Sequence, residues 1–115
     1  MSGFVGQWLA AFVVTQAAEV PIYTLAQEER PVWQRLLIAF GASAITHPIV
    51  WFVLYEPLLP LVGYTPYLLI AEAFAWGVET LWLRGWGVER AALWSLTANA
   101  ASVALGSMLR VFELM

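Results

Sequence analysis

Residues 32–55 read VWQRLLIAFGASAITHPIVWFVLY, and from Leu36 to Tyr55 the stretch contains no Asp, Glu, Lys or Arg. A bilayer core of about 30 Å takes about 20 helical residues, so the run has the length of a membrane-spanning helix. Three further apolar runs flank it, at about residues 4–26, 66–83 and 91–112. Turn signals separate them. Gln27-Glu28-Glu29-Arg30-Pro31 closes the first run and places a proline where a helix begins. Glu56-Pro57 stops the second, and Pro60, Gly63 and Pro66 predict an irregular loop after it. Arg84-Gly85-Trp86-Gly87 predicts a tight turn between the last two. The predicted fold is all-α: one transmembrane domain over residues 1–115, a four-helix bundle with no stretch left for a soluble domain.

Composition agrees. Of 115 residues, 62% are hydrophobic and 11% charged, against about 45–50% and about 25% in soluble domains. With Lys and Asp absent, the few charges cannot cover the surface of so short a chain in water. Lipid is therefore the expected partner over most of the surface. A net charge of -3 offers no basic patch, which argues against nucleic acid. The lack of Cys excludes disulfides, iron–sulfur clusters and thiolate zinc sites. The continuous Ala- and Leu-rich runs do not alternate as barrel strands do. A cleaved secretory signal would need a positive segment ahead of a short apolar core; the first charge is Glu19, inside the run, so a retained helix is expected.

Arginines set the expected orientation. Arg30 and Arg35 flank the first connection, Arg84 and Arg90 the third, and only Arg110 lies at the other side. Positive residues in short loops stay in the cytoplasm, which predicts both termini outside it. A short polytopic chain of this character fits the bacterial inner membrane. Trp8, Trp33, Trp51, Trp82, Trp86 and Trp94 stand towards run ends, where an indole anchors at the interface; Trp76 is deeper.

Polar residues inside the runs recur at helical spacing. Thr15, Glu19 and Tyr23 follow steps of four, Ser43 and His47 lie four apart beside Thr46, and Glu72 and Glu79 are seven apart. Ser95, Asn99, Ser102 and Gly106 complete a fourth stripe. Four polar stripes predict a polar interior. A rise of about 1.5 Å per residue places Glu19, Glu79 and Asn99 at one depth, with Ser95 below, and Ser43, His47, Glu72 and Ser102 nearer mid-membrane. His47 is expected to face Glu72. Paired carboxylates in low dielectric share a proton, bind a cation or stay neutral, so Glu19, Glu79, Glu72 and His47 are the expected proton- or cation-handling residues. Thr15, Tyr23, Ser43, Thr46, Ser95, Asn99 and Ser102 are expected to support them.

Plainer roles compete. His47 is more often a packing residue than a ligand, because no second His or Cys completes a usual metal site; no metal or cofactor is predicted. The Ser95, Asn99, Ser102 and Gly106 stripe is more often an interhelical contact. Pro21 and Pro48 serve to bend helices, although broken helices also build ion sites. Ser43 with His47 lacks the orienting carboxylate and oxyanion donors of a hydrolase, so no enzymatic activity is expected.

Taken together, Glu19 with Tyr23, the Thr46-His47-Pro48 break, Glu72 with Glu79, and Ser95, Asn99, Ser102 and Gly106 resemble small uncharacterised four-helix bacterial membrane proteins. Where this chain has His47, that pattern tends to carry Asn. The resemblance implies a fold and no activity. The expected function is a proton- or cation-linked transporter or channel-like protein, homo-oligomeric because four short helices enclose little volume. The alternative is an accessory or assembly subunit bound to another membrane protein.

Overall fold

The computed structural model describes residues 2–111, and is all-helical apart from short connections. Helix α1 covers Ser2–Leu25, α2 Val32–Ile49, α3 Tyr55–Val62, α4 Tyr64–Gly85 and α5 Ala91–Val111. The expected end of the last run at Phe112 and the side chain of Arg110 lie outside the described residues. Three helical stretches are long and apolar enough to cross a membrane: Gly3–Leu25, Val32–Val62 and Ala91–Leu109. Helix α4 matches them in length, but Glu72, Glu79 and Arg84 lower its apolarity.

The helices form a ring in which α1 packs on α2 and α5, and α4 packs on the same two from the opposite side. The bundle measures 43 × 26 × 23 Å. Its polarity is inverted relative to a soluble domain. Glu19, Ser43, Thr46, Glu79, Ser95 and Asn99 are buried, while Leu9, Val13, Leu37, Leu69, Leu81 and Leu93 are each more than half exposed. Exposed apolar surface all round a polar interior is stable in lipid and costly in water.

The irregular loop expected after Glu56 is instead helix. After Pro48 the chain passes through a π-helical turn, Val50–Leu54, and continues without a break to Val62, carrying Pro57 and Pro60 within it. A proline removes one backbone donor and crowds the turn before it; the wider turn between Pro48 and Pro57 accommodates both. The Tyr67 hydroxyl donates to the Val50 carbonyl at 2.9 Å, satisfying one acceptor of that turn. Gly63 ends the helix at φ 83, a left-handed conformation natural to glycine, and α4 begins directly after it.

The two ends of the bundle differ. At the end carrying the 26–31 and 86–90 connections, Tyr23, Ile38, Ala39, Ala42, Leu83, Val88, Ala91 and Ala98 form a closed core. Helix α4 stops there in a Schellman turn: the Val88 amide donates to the Leu83 carbonyl at 3.0 Å and the Gly87 amide to Arg84 at 2.9 Å, with Gly87 at φ 79. Arg30 ties the two connections together, donating to the Trp86 carbonyl while its guanidinium lies 5.9 Å from the centre of the Trp86 ring. Arg35 braces the first connection by donating to the carbonyls of Arg30 and Glu28 at 2.7 and 2.6 Å. Trp82 packs against the bare backbone of Gly41 and donates to the Ile38 carbonyl at 2.9 Å. Small residues in α2 thus let α4 approach closely and seal this end.

Candidate functional site: buried carboxylates at the foot of a cavity

Away from the sealed end the helices diverge around a cavity of about 800 Å³. Its walls run from Gly3 and Phe4 at the start of α1, Tyr64 at the start of α4 and Ser107 near the end of α5, down to Glu19, Glu79, Thr46 and Asn99. The closed core lies beneath those four.

Glu79 is 1% exposed and accepts three hydrogen bonds. The Tyr23 hydroxyl donates to its Oε1 at 2.5 Å, the Thr46 hydroxyl to its Oε2 at 2.6 Å, and the Asn99 amide to Oε1 at 3.1 Å. These donors come from α1, α2 and α5, so one carboxyl group joins all four helices of the ring. The amide of Asn99 also donates to the Ser95 carbonyl at 2.8 Å and lies 3.3 Å from the Ser95 hydroxyl, which donates to the Trp76 carbonyl at 3.0 Å. Ser102 donates to the Asn99 carbonyl at 3.0 Å. The result is a carboxylate held by donors at both oxygens, with its partners themselves fixed.

Glu19 is equally buried, at 1% exposure, yet its Oε1 has no hydrogen-bond partner. Its carboxyl group lies within side-chain hydrogen-bonding reach of Glu79 and Ser102 and lines the cavity. Two carboxyl groups at that separation hold together when they share one proton or a cation. Tyr23, Thr46 and Asn99 gather on Glu79, whereas Glu19 has only Ser102 and Glu79 within reach.

The structure thus brings Glu19, Glu79, Asn99 and Ser95 together and adds Tyr23 and Thr46 as direct partners of Glu79. His47 and Glu72 both line the cavity, and among the described residues no hydrogen bond joins them. The adjacent residue, Thr46, takes the position on Glu79, and one step of about 100° turns His47 towards α1. There its ring lies 5.5 Å from Phe12, 6.5 Å from Trp8 and 6.1 Å from Trp51, with Nδ1 unpartnered. Glu72 stands higher in the same cavity wall, half-buried, its Oε1 also unpartnered. Thr15 lines the cavity as well, whereas Ser43 is fully buried outside it with an unpartnered hydroxyl.

An aromatic ladder went unread in the sequence. Trp51, assigned above to interfacial anchoring, belongs to the cavity wall: it stacks on Tyr55 at 6.2 Å with planes 8° apart, and Tyr55 meets Tyr67 edge-on at 5.5 Å. His47, Trp51 and Tyr55 are spaced by four. In a regular α-helix two such steps drift by about 80° around the axis; the wider turn at Val50–Leu54 takes up part of that drift and keeps the rings in line. The repeated four-residue aromatic spacing after Pro48 was the available signal.

Compared with family models, curated proteins and solved structures, the chain matches none.

Proposed function

We propose that this chain is an integral membrane protein of four spanning helices that carries out proton- or cation-linked transport, with Glu19 and Glu79 as the ion-handling pair. The observation that carries the reading is the contrast between the two carboxyl groups: Glu79 is saturated by donors from three other helices, while Glu19 beside it keeps an unpartnered oxygen at the foot of the cavity. Intramembrane ionisable groups are costly and mark ion paths by default. The cavity supplies access from one end, and the closed core beneath Tyr23 blocks passage to the other. A site open to one side at a time is what alternating access requires.

Helix α4 counts as the fourth span because its outward residues Leu69, Ile70, Trp76 and Leu81 are apolar while Glu72 and Glu79 line the cavity. The arginines at the sealed end support a cytoplasmic face there, which in this reading opens the cavity outward and puts both termini outside a bacterial inner membrane. His47 serves aromatic packing in this scheme, and Glu72 is a second carboxylate on the way in.

Proteoliposomes with an imposed potassium diffusion potential test the reading. Proton or monovalent-cation flux is expected in the wild type and at least about a tenfold loss in Glu19→Gln. Flux unchanged in both Glu19→Gln and Glu79→Gln overturns it.

One observation favours assembly into a larger unit. Ala73, Trp76, Leu96, Ala100 and Ala104 line an outer groove of about 420 Å³ between α4 and α5. Small residues let another helix approach, whether a second copy or a different membrane subunit. Native mass spectrometry from the host membrane distinguishes these: a single chain type supports a homo-oligomeric transporter, and a stoichiometric foreign chain an accessory subunit.

A further inference from the structure

Glu19 and Glu79 differ in the hydrogens that reach them. The Tyr23 hydroxyl and the Asn99 amide place donors on Glu79 Oε1, and the Thr46 hydroxyl places one on Oε2. Donors converging from three helices hold a negative charge where it stands. Glu19, 1% exposed on α1, has Glu79 and Ser102 within side-chain hydrogen-bonding reach and keeps a bare Oε1 at the foot of the cavity. A second buried negative charge with an unpartnered oxygen is costly beside the first. The same group costs far less as a neutral acid, because its one O–H bonds to Glu79 and only a carbonyl oxygen is left bare.

Two kinds of positive charge suit such a pair, a metal ion and a proton, and the neighbours decide between them. A metal ion binds converging oxygen lone pairs, about six or more for Ca²⁺. Tyr23, Thr46 and Asn99 are turned the other way, with their hydrogens spent on the carboxyl group. Among the described residues no group of three or more His, Asp or Glu is placed to hold a metal. The other titratable groups near the pair are few. Glu72 is seven residues from Glu79 on α4, about 10.5 Å up the axis. Tyr23 of α1 is spent on Glu79, and His47 of α2 lies among the rings of Phe12 and Trp51. Helix α5 brings no titratable group to the cavity, and no Lys or Arg lines it.

We propose that the ion of this site is a proton: Glu19 carries it, Glu79 is the fixed negative charge that accepts its hydrogen bond, and metal cations are not taken. The proposal rests on Glu19 and Glu79 being the ion-handling pair and names the ion of that pair. Loading is one transfer. A hydronium at the foot of the cavity gives its proton to the Glu19 carboxylate, a new O–H bond forms on Glu19, and one water is left; unloading is the reverse. Oε1, the unpartnered oxygen, is the one free to meet the hydronium.

Infrared difference spectroscopy of the full chain in lipid nanodiscs, titrated through neutral pH, tests it. At pH 7 an ordinary glutamic acid, with a pKa of about 4.3, is ionised, and the wild type is expected to keep the C=O stretch of a protonated carboxylic acid. Glu19→Gln should remove a band that Glu72→Gln leaves in place. If Glu19→Gln does not fold, Glu19→Asp keeps the acid and should shift the band. Glu79→Gln takes away the fixed charge, so the band should disappear at a pH at least about one unit lower than in the wild type. Replacing choline chloride by sodium or potassium chloride at constant ionic strength should leave it unchanged. A band indifferent to the Glu19 variants, no such band at pH 7, loss of the band to sodium or potassium, or an unmoved titration in Glu79→Gln overturns the proposal. Glu19-dependent flux of sodium or potassium without the band overturns the proton and leaves the ion-handling reading standing. A Glu19 band with the expected titration, in a chain that carries no flux, upholds the proton site and removes transport.

Discussion

Tyr23→Phe removes one oxygen atom from a fully buried ring and leaves its packing among Ile38, Leu83 and Ala98 in place. What disappears is the donor to Glu79 Oε1 at 2.5 Å. Hydrogen bonds between helices in membranes contribute about 0.6 kcal/mol on average and about 1.7 at most, whereas bonds to a charged acceptor are worth about 1.5–3 kcal/mol. With Glu79 ionised, the bonds from Tyr23, Thr46 and Asn99 fall in the charged range. Tyr23→Phe should therefore cost about 2 kcal/mol, close to a thirtyfold change in the unfolding constant. The assay is reversible unfolding in mixed micelles by increasing sodium dodecyl sulfate fraction, read by tryptophan fluorescence, for wild type, Tyr23→Phe, Glu79→Gln and the double variant. A coupling energy of about 1.5 kcal/mol or more is expected from this cycle. A coupling near or below about 0.6 kcal/mol refutes the reasoning, because it would make the bond an ordinary neutral contact and Glu79 no fixed charge.

Two further outcomes follow from the packing. A Cβ on Gly41 would stand 2.7 Å from Trp82 Cζ2, so Gly41→Ala is expected to destabilise by about 1–3 kcal/mol in the same unfolding assay. Gly77→Ala, with nothing within 4 Å of the added carbon, should be neutral or stabilising. Because the chain has no cysteine, single cysteines report access cleanly: Glu72→Cys and Ser107→Cys in the cavity wall should react with a membrane-impermeant thiosulfonate from one side of a sealed vesicle, and Ala98→Cys in the closed core should not. Equal labelling of all three would contradict the sealed end.

The positions of the helices were legible because charge and proline interrupt the apolar runs at Glu28 to Pro31 and at Arg84 to Gly87, and a missing charge is visible without any tertiary information. The inner cluster was partly legible as well. Glu19, Glu79, Asn99 and Ser95 come to one level because rise per residue fixes depth once the helix ends are known. What misled was the angle around the axis. Thr46, His47 and Pro48 are consecutive, and depth alone cannot say which of them meets Glu79; Thr46 bonds it, while His47 lines the cavity among the rings of α1 and α2. The prolines at 57 and 60 misled for another reason. Their local preference is to break a helix, and the π-helical turn ahead of them absorbs the mismatch.

The sequence by itself determined that this chain is helical, that most of its surface suits lipid, and that carboxyl groups are drawn into its apolar runs. These follow from composition and spacing, which act along the chain. Only the tertiary structure decided that Glu79 is saturated by donors from three other helices while Glu19 keeps a bare oxygen. It also decided that the bundle closes over Tyr23 at one end and opens along a wall of rings at the other. The physical reason is that helix rotation and partner choice are fixed by contacts between segments far apart in sequence. Gly41 against Trp82, and Tyr23 with Thr46 on Glu79, have no signature until the helices meet.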